Sequence, residues 1–289
     1  MKQKTLTLRE LYCRGQEILK ESGIEEYQLD AWRLLEYAAG ITRAAYYGEP
    51  DREAEPVQAE LYLEGIRRRS ERIPLQHITG EQEFMGYSFL VNRHVLIPRQ
   101  DTEILVEEAA KRVQSGMKVL DMCTGSGCVL LSLLKHAAER GVISGLSGTG
   151  ADISEEALAV ARENGARLQA EAEFVKSDLF ACVPGMYDMI VSNPPYIRTA
   201  VIRELQDEVR LHDPYIALDG REDGLFFYRR IIKEGGSCLR EGGWMLFEIG
   251  CDQAAAVAEL FRAAGYGSIS VKKDLAGLDR VVCARYNVG

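Results

Sequence analysis

Apolar positions recur at helical spacing from about Leu6 to Arg72, then give way after Lys118 to short apolar runs separated by helical stretches. Leu8, Leu11, Tyr12, Ile18 and Leu19 form one stripe. Leu29, Trp32, Leu35 and Tyr37, then Leu61, Leu63 and Ile66, mark two more helices, with Gly48-Glu49-Pro50-Asp51 as a break between them. From Glu83 to Pro98 the pattern changes. Phe84, Tyr87, Phe89, Val91, Val95 and Ile97 around Gly86 predict two short strands in a hairpin. Arg99 to Gln114 returns to helix, with Asp101, Glu103, Glu107 and Glu108 early in it, where the helix dipole favours acids.

Strands and helices then alternate, as a parallel sheet with crossover helices requires. Val119-Leu120-Asp121-Met122 is the first predicted strand, and a helix from Cys128 to His136 follows a glycine turn. Strands ending at Ile153, around Phe174-Val175 and over Tyr187–Ser192 come next, then a long helix from Gly224 to Leu239. Later strands are predicted at Gly243–Ile249, Ile269–Lys272 and Arg280–Arg285. Candidate chemistry falls where the strands end.

Asp121-Met122-Cys123-Thr124-Gly125-Ser126-Gly127 links the first strand to its helix. Glycines there let the backbone approach a ligand, and the helix N-terminus offers free N–H groups. The loop resembles the dinucleotide fingerprint, except that Leu130 stands where the third glycine belongs. Asp152, after the second strand, can accept hydrogen bonds from both hydroxyls of a ribose. Ser177-Asp178 follows the third, with Asp178 placed to bind an adenine amino group. After the fourth comes Asn193-Pro194-Pro195-Tyr196. Two prolines end ladder pairing and stiffen the chain. The carbonyls of Asn193 and Pro194 can then accept hydrogens from a planar NH2 group, while the Tyr196 ring covers one face. Asn-Pro and Pro-Pro are also ordinary turn signals; the order of all four features along one sheet edge is what gives them weight. That layout suits a protein that binds S-adenosylmethionine and methylates a planar nitrogen. No residue of the motif is an evident general base.

Composition narrows the partners. Among 289 residues, 35 Lys+Arg stand against 44 Asp+Glu, a net charge of -9, which argues against a broad basic face for duplex nucleic acid. Arg67-Arg68-Arg69 with Arg72 is the best candidate basic patch, and a solvated helix face is its simpler reading. The seven cysteines are scattered without a Cys-x-x-Cys pair, so neither a metal site nor a disulfide framework is expected and reduced cytosolic thiols are the default. Residues 1–5 lead into the first helix and not into a signal-peptide core; the expected location is the cytoplasm and no membrane partner is expected.

Nearly end to end, the chain resembles the glutamine methyltransferases of class I peptide-chain release factors, the HemK/PrmC family. The resemblance rests on Pro74–Gly80, Leu96-Ile97-Pro98-Arg99-Gln100-Asp101-Thr102-Glu103, the glycine loop, Ser192–Ile197, Ala217-Leu218-Asp219-Gly220 with Asp223-Gly224-Leu225, and Glu248-Ile249-Gly250. It implies an α/β fold: a seven-stranded S-adenosylmethionine-dependent methyltransferase domain (Rossmann-like) over residues 99–289. A β-hairpin linker over 83–98 and a small helical substrate-recognition domain over 1–82 precede it. The implied donor is S-adenosylmethionine, held by Cys123, Thr124, Gly125, Ser126, Gly127, Asp152, Asp178, Leu179 and Asn193. The implied substrate is the glutamine of a release factor's Gly-Gly-Gln loop, bound by Asn193, Pro194, Pro195 and Tyr196, with Asn193, Pro194 and Tyr196 catalytic and no metal. Cys123 replaces the usual glycine near the methionine portion of the donor, Leu179 stands where some members carry Trp, and His212-Asp213-Pro214 stands where Glu-Pro is commoner. Rival readings are the sibling glutamine methyltransferase of a ribosomal protein, a nucleic-acid adenine-N6 methyltransferase, and a catalytically silent binding protein on the same fold.

Overall fold

The computed structural model describes residues 5–141 and 143–287. Residues 1–4, read above as leading into a helix, lie outside them. Helices run α1 (Leu8–Glu21), α2 (Tyr27–Ala39), α3 (Arg43–Gly48), α4 (Pro56–Ser70), α5 (Leu75–Thr79), α6 (Glu103–Ala110), α7 (Cys128–Arg140), α8 (Glu155–Leu168), α9 (Asp207–His212), α10 (Tyr215–Leu218), α11 (Phe226–Gly235) and α12 (Ala254–Ala263). Strands are β1 (Glu81–Phe84), β2 (Tyr87–Leu90), β3 (Lys118–Met122), β4 (Ser147–Asp152), β5 (Glu173–Lys176), β6 (Tyr187–Ser192), β7 (Leu239–Glu248), β8 (Tyr266–Lys273) and β9 (Asp279–Tyr286).

The chain forms two compact units, and one cut near residue 82 does not separate them. The first comprises residues 1–80 together with Asp207–His212; the second holds the rest, including the hairpin. In the helical unit, α1 starts at a reciprocal cap: Thr7 Oγ1 accepts from Glu10 N–H at 3.2 Å, and Glu10 Oε2 accepts from Thr7 N–H at 2.9 Å. Leu8, Leu11, Leu19, Leu34, Leu35, Tyr62 and Ile66 are its fully buried core. Gly15 admits the Tyr62 ring, since a Cβ there would collide with the Tyr62 hydroxyl.

The arginine run contributes to this unit's interior more than to its surface. Arg67 is exposed and paired with Glu64 and Glu71. Arg69, however, is half-buried and pairs with Asp30 at 2.7 Å and Glu208 at 3.2 Å. Arg72 reaches Glu208 at 3.3 Å and the carbonyls of Ser22 and Gly23 at 3.2 and 3.0 Å. These two cations hold α9 against the bundle, so the solvated-face reading fits only Arg67.

In the second unit, Met85 (φ 52) and Gly86 (φ 77) form the tight turn of the hairpin, both in the left-handed region that such turns demand. The ladder stops at Leu90, short of the expected Ile97. There the buried Asn164 amide takes over the role of a strand: its Oδ1 accepts from Leu90 N–H at 2.7 Å and its Nδ2 donates to Leu90 C=O at 3.1 Å.

Among the described residues, seven strands form one sheet in the order β5-β4-β3-β6-β7-β9-β8, parallel except where β9 meets β7 and β8. Successive β3 residues face opposite layers: Val119 packs with Leu130, Leu131 and Val191, whereas Leu120 packs with Ile190, Met245 and Phe247. Both faces are buried, which is why these strands read as continuous apolar runs. Connections leave β3 in one direction through β4 and β5 and in the other through β6 and β7. The switch point therefore lies between β3 and β6, where open α/β sheets bind ligands.

Candidate active site

Register levels the strand ends at that switch point. Met122 pairs with both Ala151 and Ser192, and Asp152 pairs with Lys176, so Cys123, Asp152, Ser177 and Asn193 all emerge on one edge. They border a cavity of about 280 Å³, close to the lower end of ligand-sized pockets.

On the glycine-loop side the fixing atoms are mostly backbone. Cys123, Gly125 and Gly127 have φ of 61, 55 and 78. Thr124 N–H donates to Ala151 C=O at 3.0 Å, and Thr124 Oγ1 donates to Asp121 Oδ2 at 2.6 Å. Asp152 ties the loop to its own strand end, accepting from Gly125 N–H at 2.9 Å and from Ser154 N–H at 3.0 Å. Burial pushes the Asp152 carboxyl upward against these two bonds. Asp121 is pushed up to about 7, chiefly by burial and also by Asp152, while the Thr124 hydroxyl opposes the shift. The missing third glycine has a structural equivalent. Leu130 is fully buried, and a Cβ on Gly148 of β4 would lie 2.5 Å from its Cδ1. Close packing of helix on strand is thus achieved with the small residue on the strand.

Of the expected donor residues, Cys123, Thr124, Gly125, Ser126, Asp152, Asp178, Leu179 and Asn193 line the cavity, and Gly127 does not. Gly127 instead starts α7, where a Cβ would meet Leu131 and Ala161 at 3.0 and 3.2 Å. Asp178 is exposed, and its Oδ1 accepts from Arg230 Nη1 at 2.9 Å. Leu179 is buried with φ 49. Burial raises the Cys123 thiol far above the range of a reactive thiolate.

On the other side, Asn193 and Pro195 line the cavity, whereas Pro194 and Tyr196 do not. Asn193 Nδ2 donates to Thr102 Oγ1 at 3.3 Å. The Tyr196 hydroxyl donates to Glu248 Oε1 at 3.3 Å, and Tyr196 C=O accepts from Gln253 Nε2 at 3.0 Å. Glu248 is pushed up to about 7 by burial, against the Thr102 hydroxyl, Arg280 and the Tyr196 hydroxyl. Gly220 and Gly224 pack directly on the Tyr196 backbone: a Cβ at Gly220 would lie 2.7 Å from Tyr196 Cα, and one at Gly224 would collide with its carbonyl oxygen. Ile197 pairs with Asp219 beside them. Asp213, from the atypical His212-Asp213-Pro214 segment, accepts from Arg99 Nη2 at 2.6 Å. Reading the chain alone assigned no role to Thr102, Glu248, Gln253, Gly220 or Gly224. Their signal lay in the resemblance motifs, which contain four of the five.

Two family descriptions match the chain: the PrmC N-terminal domain over residues 10–80 and the methyltransferase small domain over residues 99–208. A release factor glutamine methyltransferase of Caulobacter vibrioides is 42% identical over 283 residues, 96% of each chain. One of Geobacter sulfurreducens is 39% identical over 280 residues, again 96% of each. The chain belongs to the release factor glutamine methyltransferase family. Beyond the family, a methyltransferase from Pyrococcus furiosus superposes with a TM-score of 0.50 at 16% identity, covering 69% of this chain and 89% of that one. At that identity the likeness is one of fold alone. Among the described residues no helix is long and apolar enough to cross a membrane, and no cluster of His, Cys, Asp and Glu could hold a metal ion.

Proposed function

We propose that this member of the family methylates the side-chain amide nitrogen of the glutamine in the Gly-Gly-Gln loop of class I peptide-chain release factors, with S-adenosylmethionine as donor. The observation that carries this reading is the shared cavity: the glycine loop, Asp152 and Asn193 border one space. The donor fits it. No atom lies within 4 Å of where a Gly125 Cβ would be, so the loop leaves room beside its backbone, and the buried Ser126 hydroxyl has no partner among the described residues. Asp152 uses one lone pair of each oxygen on backbone N–H groups and keeps the others for ribose hydroxyls. Asp178 and Leu179 border the end expected to hold adenine, and Cys123 to Ser126 the methionine end.

S-adenosylmethionine supplies a methyl group on a positively charged sulfonium, a leaving group that needs no metal. An amide nitrogen is a poor nucleophile because its lone pair is delocalised, so the task of the protein is alignment. Asn193 Oδ1, which no described residue hydrogen-bonds, borders that space and can accept one hydrogen of the substrate NH2; the Pro194 carbonyl, expected to take the other, belongs to a residue outside the cavity lining. Fixing both partners in line can contribute on the order of 7–11 kcal/mol. Incubation with labelled donor and, separately, a release factor, a ribosomal extract and DNA tests the reading. Label should enter the release factor at its Gly-Gly-Gln glutamine; incorporation confined to a ribosomal protein or to DNA would replace the substrate assignment.

A small pocket cannot distinguish one exposed glutamine from another, so the wider contact belongs to the helical unit. Its Tyr47 and Val57 are 74% and 65% exposed. Tyr47→Ser with Val57→Ser should raise KM for intact release factor while leaving a short Gly-Gly-Gln peptide unaffected. Equal KM on the intact protein would leave recognition to the catalytic unit.

A further inference from the structure

Donor and target amide occupy one half of the sheet edge. The residues expected to hold the donor leave β3, β4 and β5, and Asn193 leaves β6. In-line transfer sets sulfur, methyl carbon and amide nitrogen on one line, with the nitrogen on the far side of the methyl from the sulfur. With the sulfonium on the β3–β5 side, the protein that carries the amide extends from Asn193 over the remaining strand ends, β7, β9 and β8 in that order. β9 runs opposite to β7, and its Val281 pairs with Glu248, the last residue of β7. The turn from β8 to β9, residues 274–278, therefore projects from the same edge as Asn193. Arg280 ties its base there. Its C=O accepts from Ile249 N–H at 2.9 Å, and its Nη2 lies 3.2 Å from Asp101, the residue before the cavity-lining Thr102.

This turn uses its polar groups on itself. Asp274 is the hub: its Oδ1 accepts from Leu278 N–H and its Oδ2 from Arg280 Nη2, both at 2.9 Å, and its C=O accepts from Gly277 N–H at 3.0 Å. Asp274 N–H donates to Leu278 C=O and Lys273 Nζ to Gly277 C=O, each at 2.9 Å. Lys273 also pairs with Asp279 at 2.9 Å, so the charges at the base of the turn are matched among themselves. The side chains left outward are apolar. Leu275 is fully exposed, Leu278 is 47% exposed, and Ala276 between them is exposed as well. A single exposed leucine is ordinary. Two on a turn whose backbone is already fixed form a preorganised contact, because docking on them orders nothing further.

Resting on the functional reading above, we propose that the β8–β9 turn is a docking element for the substrate protein, with Leu275 and Leu278 seated on an apolar surface beside the loop that carries the target glutamine. Leu275→Ser with Leu278→Ser, in the full chain, is compared with wild type on an intact release factor and on a short Gly-Gly-Gln peptide. KM for the intact protein should rise roughly 10–100-fold, the loss expected when a leucine contact is no longer buried. The kcat, the peptide KM and the thermal midpoint should not change. Leu275→Met with Leu278→Met should recover most of the affinity for the intact protein. Unchanged KM on the intact protein overturns the proposal, and so does an equal rise on the peptide, which would put the effect inside the cavity. A second copy of this chain is the alternative occupant: self-association by sedimentation that the serine variant loses, with KM unaltered, overturns the proposal in its favour. If the wild-type protein methylates no release factor, the functional reading falls by itself. Calorimetric binding of release factor then decides the turn alone: binding that the serine variant loses upholds it, and equal or absent binding overturns it.

Discussion

The glycine loop and the Asn193 turn border the same cavity, but they are held in place by different means. Around the loop, three consecutive odd positions take left-handed φ, and Asp152 fastens the backbone through two N–H groups. Around the turn, the fixing groups are buried side chains: Thr102 on Asn193, Glu248 and Gln253 on Tyr196. Backbone geometry is set by local sequence and tolerates change in side chains that only line the space. A buried polar network is less forgiving, because each partner removed leaves another unsatisfied, at about 1–3 kcal/mol each. The donor side should therefore respond to substitution gradually and the acceptor side abruptly.

The largest expected effect lies on the acceptor side. Asn193→Ala should lower kcat by about 10²–10³-fold or more, as loss of a group oriented toward the reacting atoms does, while donor affinity measured by calorimetry changes little. Near wild-type turnover would remove Asn193 from the mechanism and with it the difference between the two sides of the cavity. On the donor side, Asp152→Ala should weaken S-adenosylmethionine binding by about 1.5–3 kcal/mol, the value of a hydrogen bond to a charged group. Some of that loss comes from the freed Gly125 and Ser154 N–H groups. Unchanged affinity in the folded variant would shift the ribose to another acid, with Asp178 next to test.

How far each side was legible in the chain follows from the same difference. Asn193 announces itself because it directly follows the apolar β6 strand, Asp152 because it closes β4, and Gly125 and Gly127 because they lie in the glycine turn between β3 and α7, so local pattern put all four at strand ends on one edge. Thr102 and Glu248 carry no such signal. Glu248 closes β7, where an acid looks like the end of any strand, and it meets Tyr196 only through the pairing of β6 with β7. The helix α9 was not anticipated either: six residues are too few for a periodic stripe, and its place in the helical unit depends on Arg69 and Arg72, more than 130 positions upstream. Long-range ion pairs and side-chain networks are set by topology, which local pattern does not encode.

A smaller effect separates the halves by pH. Glu248, facing Thr102, Tyr196, Arg280 and Asp101, is pushed up to about 7, and so is Asp121 beside Thr124 and Asp152. Unfolded carboxyls ionise near pH ~4. Between about pH 4 and 7 the folded protein therefore holds protons that the unfolded chain has released, so stability falls as pH rises through that window and levels off above it. Glu208, whose burial is outweighed by its own backbone N–H together with Arg69 and Arg72, is held low, so it acts in the opposite sense and only at more acid pH. Glu248→Gln should flatten the decline in thermal midpoint from pH 5 to 8, removing on the order of 1–2 kcal/mol of it. A slope identical to wild type would leave Asp121 as its source.

The smallest expected effect tests the tolerance of the donor side directly. Cys123 occupies a left-handed position, φ 61, where a side chain costs roughly 1–2 kcal/mol and glycine nothing. Against that, glycine gives up about 0.5–1 kcal/mol in unfolded-state entropy, and the thiol packs on the core layer containing Leu120 and Phe247. These contributions nearly cancel. Cys123→Gly should thus change stability by less than about 1 kcal/mol and donor affinity by less than about threefold. Gly125→Ala is its counterpart: the Cβ would meet nothing within 4 Å, yet φ 55 strains it, so it should lose about 1–2 kcal/mol without any steric clash. A tenfold loss of donor affinity in Cys123→Gly would mean that the thiol itself contacts the donor, and the loop would then rely on a side chain as the Asn193 turn does.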